Sequence, residues 1–151
     1  MGGLPDLTAL RERLVGRPIG GGPVTVPPHE RAIGHRALAW SGADDDGLHP
    51  VWATLLGLRG MDLSFEELFD LAEASAEDGI YFGEAGAEFR RDLEAGTAYQ
   101  VSGRITDLVR RRGKTAGTFD VLTFELYLKT QDGTLIATAT NSFLFVRKEP
   151  S

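Results

Sequence analysis

The chain has 151 residues, a formal net charge of −6 and no cysteine. That length supports one core, so the expectation is one domain over residues 1–151. Without cysteine there is no disulfide framework, thiolate nucleophile or thiolate metal site. The acidic balance argues against a nucleic-acid binder, no apolar run approaches the ~20 residues of a membrane helix, and the N-terminus lacks the basic start and apolar core of a signal peptide. A cytoplasmic protein is expected.

Leu7, Leu10 and Leu14 fall on one helical face, with Asp6 placed as N-cap. Gly20-Gly21-Gly22-Pro23 reads as a loop and lacks the spacing of a phosphate cradle. Val24-Thr25-Val26 reads as a strand end. Pro27-Pro28 then opens a second helix with a stripe of Ala32, Ile33, Arg36, Ala37 and Trp40. His29 and His35 on this helix read as surface or helix-end residues, because no ligand spacing links them to a metal site. Val51–Leu58 reads as a short apolar helix or turn. Ser64 and Glu67 form a capping box for a helix carrying Phe65, Leu68, Phe69 and Ala72 on one face, running to about Ala74.

The second half has period two. Ile80–Phe89 shows mixed alternation, with breaks expected at Gly83 and Gly86. Thr97–Val109, Phe119–Thr130 and Leu135–Val146 alternate as long strands. Arg110-Arg111-Arg112-Gly113-Lys114 reads as a solvated basic connection and Gln131-Asp132-Gly133 as a hairpin turn. Apolar residues on both faces of the last strand, Phe143 and Phe145 against Leu144 and Val146, suggest burial on both sides, with a partner chain covering one. Helices first and antiparallel strands after give an α+β layout with helix packed on a sheet.

The chemistry concentrates in Ser41-Gly42-Ala43-Asp44-Asp45-Asp46-Gly47-Leu48-His49-Pro50, a Gly- and Asp-rich turn between two apolar segments. Asp44 and His49 lie five residues apart and converge if the turn folds back. A carboxylate beside an imidazole is a general acid/base pair. A solvated turn with a surface histidine is the plainer alternative. Trp52 and Leu55 either line a pocket beside His49 or pack as ordinary core residues.

The run Ala43–His49 resembles the signature loop of MaoC-like (R)-specific enoyl-CoA hydratases, Gly-Asp-x-Asn-Pro-(Leu/Ile)-His. Asp44, Leu48 and His49 match it, while Ala43, Asp46 and Gly47 stand where Gly, Asn and Pro are usual. Phe89–Thr97 is similar to that family's entry to a long strand, with Asp92 and Thr97 in place of proline and aspartate. Asp132-Gly133 and Ala137-Thr138-Ala139-Thr140 resemble its closing hairpin. Together these cover residues 14–147.

The resemblance implies a hot-dog fold, an antiparallel sheet wrapped around a central helix. It also implies hydration or dehydration between trans-2-enoyl and (3R)-3-hydroxyacyl thioesters of CoA or a carrier protein. Asp44 and His49 would hold the reacting water. The capped helix at Ser64-Phe65 would present its N-terminus to the thioester oxygen. Beside it, Trp52 is a candidate substrate contact from its place after His49, and contact of Arg110, Arg111, Arg112 and Lys114 with substrate phosphates is the alternative to the solvated reading of that run. No cofactor and no metal are implied. The partner is a second hot-dog subunit, as homodimer or heterodimer, with Phe143 and Phe145 at the seam. Alternatives are a non-catalytic subunit of a heteromeric dehydratase, an acyl-CoA thioesterase and a plain binding module.

Overall fold

The computed structural model describes residues 3–38, 47–115 and 117–148. Helix α1 (Leu7–Leu14) starts where expected: the Asp6 carboxylate accepts from the Thr8 and Ala9 amides, and Leu10 and Leu14 are buried. Strands β1 (Pro18–Ile19) and β2 (Pro23–Val24) precede helix α2 (Pro28–Ala37), which opens on its proline. Helix α3 spans Val51–Gly60 and the capped helix α4 Phe65–Leu71. The α4 capping box is complete, with both Ser64 and Glu67 contributing, but the helix stops at Leu71 rather than near Ala74.

Four long strands follow: β3 (Ile80–Phe89), β4 (Tyr99–Gly113), β5 (Gly117–Lys129) and β6 (Leu135–Arg147). They form one antiparallel sheet in the order β1-β4-β5-β6-β3, with β2 also on β4. Alternation sorts the faces as the sequence requires: Leu122, Phe124, Leu126 and Leu128 are buried on the inner face. The basic run is not a connection. Arg110–Arg112 continue β4 opposite Asp120–Thr118, where Arg110 pairs with Asp120 across the ladder and the turn is delayed to Lys114.

The helix lying across the inner face is α3, not α4. Trp52, Ala53, Leu56 and Gly57 are its buried side, and it packs on β4, β5 and β6. Small residues set the distance: a Cβ on Gly60 would lie 2.4 Å from Val101 Cγ2 and 2.8 Å from Val24 Cγ1. Helix α4 covers the far part of β6, where Phe69 meets Phe143 and Phe145 edge-on at 5.1 and 5.7 Å. Phe143 and Phe145 are therefore buried by their own chain and do not form the seam expected of them.

Strand β3 ends the sheet and pairs only with β6 among the described strands. It is continuous through Gly86, and one irregularity interrupts its register between Phe82 and Ala85. Tyr81, Phe82 and Phe89 are exposed along it. None of the described helices is long and apolar enough to cross a membrane.

Candidate active site

Asp44 lies outside the described residues. His49 lies inside them, immediately before α3, and the backbone leading to it is tied on both sides. The Leu48 N–H donates to Leu93 O (3.0 Å), and Gly47 forms a bridge with Glu94. From the opposite side Arg31 Nε donates to Gly47 O (2.8 Å), and the His49 N–H donates to His35 Nε2 (3.1 Å). Residues 47–49 thus run as a short extended segment between the 93–94 turn and α2.

The ring of His49 is oriented by α3 itself. The Val51 N–H donates to His49 Nδ1 (3.1 Å), so the proton of the neutral ring sits on Nε2. The next two amides of α3 are also engaged: Trp52 N–H donates to His49 O (3.0 Å) and Ala53 N–H to Pro50 O (3.1 Å). The helix start therefore offers its macrodipole, not vacant amides, to a ligand near His49.

His35, read from sequence as a surface residue, is the buried residue of α2. Its pKa lies below the ordinary histidine value, first because of burial and then because of the Arg31 and His49 charges. The sequence signal was available in spacing: Arg31 and His35 are one helical turn apart and share a face.

Trp52 is buried in the first turn of α3, and its Nε1 has no hydrogen-bond partner among the described residues. The ring lies against Gly34 of α2, where an added Cβ would sit 3.0 Å from Cζ2 and 3.7 Å from Nε1. Arg59 covers the ring at 5.8 Å and pairs with Glu30 at 3.0 Å, joining α3 to α2. Between the two helices runs a cleft of about 350 Å³ lined by Ile33, Gly34, Leu38, Val51, Trp52 and Leu55. That volume falls in the roughly 300–1,000 Å³ range of small-molecule sites.

Ser64 and Phe65 are placed apart from this cleft. Ser64 Oγ accepts from the Glu67 amide (3.1 Å) and is occupied in capping. Phe65 packs edge-on against Phe143 at 5.2 Å. The His49 segment is instead tied to the chain just after Arg90, whose amide donates to Ile136 O. Ile136 and Phe143 are roughly 23 Å apart along β6 at about 3.3 Å per residue. Arg110 points into the protein, onto Asp120 at 2.7 Å, and is not placed to meet a substrate phosphate. The described side chains contain no group of three His, Asp or Glu that could hold a metal.

No protein-family model matches the chain, and no curated protein sequence does. Solved structures do. The ChsH1–ChsH2 complex from Mycobacterium tuberculosis is 13% identical with a TM-score of 0.67, over 95% of this chain and 90% of that one. The HadBC (3R-hydroxyacyl-ACP dehydratase) complex from the same organism is 16% identical with a TM-score of 0.66, over 87% and 96%. A MaoC-like dehydratase from Rhodospirillum rubrum is 12% identical with a TM-score of 0.55, over 93% and 98%. This chain is a hot-dog domain. At these identities the likeness is one of fold, and the hot-dog's central helix is α3, the helix that His49 introduces.

Proposed function

We propose that this hot-dog domain is an acyl-thioester hydratase/dehydratase, interconverting trans-2-enoyl and (3R)-3-hydroxyacyl thioesters of CoA or a carrier protein. The observation that carries the reading is the setting of His49. Its backbone is held on two sides and its Nδ1 is engaged by the first amide of α3, which makes Nε2 the working nitrogen. Asp44 and His49 hold the water between them. One takes a proton as hydroxyl adds to C3 while the other supplies the proton to C2, and dehydration reverses the steps. The positive end of the α3 dipole favours the negative charge that develops on the thioester oxygen. Trp52 and the α2–α3 cleft receive the acyl chain.

A second hot-dog chain completes the assembly along β3. The edge is long, and three large apolar side chains, Tyr81, Phe82 and Phe89, stand exposed on it, a surface that proteins otherwise cover or interrupt. This edge also favours a second reading, a subunit active only with a different hot-dog partner.

The test is hydration of crotonyl-CoA and a longer enoyl-CoA, followed as loss of enoyl absorbance, with light scattering on the same sample. Asp44→Asn and His49→Ala are expected to lower kcat by about 10²–10⁴, the range for an acid/base group. Turnover that survives both changes removes the pair from the mechanism. An inert protein that gains activity with a co-expressed hot-dog partner supports the subunit reading, and inertness in both settings overturns the assignment.

A further inference from the structure

We propose that His35 is a positioning residue for His49, acting as the acceptor half of a clamp that α2 closes on the reactive segment. The proposal rests on His49 being the working residue assigned above. Arg31 and His35 lie one turn apart on α2 and contact residues 47–49 in opposite senses: Arg31 Nε donates to Gly47 O, and His35 Nε2 accepts from the His49 N–H. The Leu48 amide between them is turned the other way, onto Leu93 O. Three consecutive residues are thus fixed alternately from α2 and from the 93–94 turn. The peptide that leads into the His49 ring has one placement relative to α3.

The His35 contact requires an unprotonated Nε2. Protonation would set one N–H against another, beside the Arg31 cation on the same helix and the His49 ring on the facing segment, the titratable groups that act on His35 among the described residues. Burial and those two neighbours keep the ring neutral below the ordinary histidine pKa of 6.5. The clamp is therefore closed at neutral pH and opens on acidification below that value. A 1 Å displacement of a catalytic group is enough to cost about 100-fold in rate, so the contact bears on kcat more than on KM.

The experiment compares His35→Leu, which removes the acceptor at similar volume, with His35→Gln, which restores a non-titrating acceptor. Enoyl-CoA hydration is measured from pH 5 to 8.5, together with exchange of the His49 backbone amide by NMR. For His35→Leu we expect kcat lower by about 10- to 100-fold, KM changed little, and His49 amide exchange faster by tenfold or more. His35→Gln is expected to recover most of kcat and to lose the part of the acid limb that His35 contributes. A folded His35→Leu protein with unchanged kcat and amide exchange overturns the proposal, as does equal loss in both variants. If the wild type hydrates nothing, the functional reading fails by itself, and the amide exchange still reports whether the clamp exists.

Discussion

Asp120→Ala removes the anion that joins three parts of the fold. Asp120 is fully buried. Arg110 binds it through two nitrogens, at 2.7 and 3.0 Å, and Arg147 through Nε at 2.8 Å. The guanidiniums reach further: Arg110 Nη2 donates to Pro5 O ahead of α1, and Arg147 Nη2 donates to Ala72 O at the end of α4 (2.6 Å). With the carboxylate gone, Arg147, whose side chain is 3% exposed, keeps its charge without a counter-ion. Breaking a buried pair in this way costs about 3–5 kcal/mol, or roughly 6–20 °C in Tm for a chain of this length. Urea unfolding should show a lower midpoint at unchanged slope. The triple replacement Asp120→Leu, Arg110→Met, Arg147→Met removes the charges together and should lose much less than Asp120→Ala alone. A loss below about 1 kcal/mol in Asp120→Ala would refute the argument that the desolvated cations depend on this carboxylate.

Three other outcomes follow from the same geometry. Asn141 is fully buried on β6 with neither amide atom partnered among the described residues, so Asn141→Leu should raise stability by about 1 kcal/mol or more in urea unfolding. Gly34→Leu pushes a side chain into the α2–α3 cleft beside Trp52. Turnover of a long enoyl-CoA should fall by an order of magnitude or more relative to crotonyl-CoA, since single methylene misfits already cost about tenfold. The lowered pKa of His35 makes the unfolded chain bind its proton first as pH falls. Stability should therefore hold above about 6.5 and drop through the window below it. The His35→Gln variant should show a smaller drop.

The sheet was legible because its middle strand β5 keeps strict alternation: Leu122 through Leu128 turn inward at every second position and are buried there. Asp6 and the Ser64–Glu67 box marked two helix starts by local hydrogen bonding, which needs no tertiary partner. What local pattern could not rank was the helices. Helix α4 has the better cap and the cleaner stripe, yet α3 is central, because Gly57 and Gly60 let it approach the strands and its apolar residues leave no marked polar face. The basic run misled for a related reason. A charged triplet reads as solvated until a distant carboxylate, here Asp120 across the hairpin, supplies a partner. Around the site, the Asp44/His49 spacing was visible; His35 shares a helical face with Arg31, but its partner, a backbone amide 14 residues away, leaves no local mark.

The irregularity in β3 bears on the assembly proposed along that edge. Between Phe82 and Ala85 the strand leaves its register with β6, and the Glu84 amide donates to the Ser142 hydroxyl (2.8 Å). A Cβ on Gly83 would lie 2.5 Å from that same oxygen, so the kink is built around a residue without a side chain. A bulge bends its strand and raises the local twist, which divides the outer rim into two short straight runs set at an angle. An incoming strand matches both runs in one alignment and loses contact with one of them when it slides by two residues. For the partner chain proposed along β3, the kink would act as a key cut into an otherwise uniform edge, favouring one docking register over the open-ended stacking that a flat exposed strand invites.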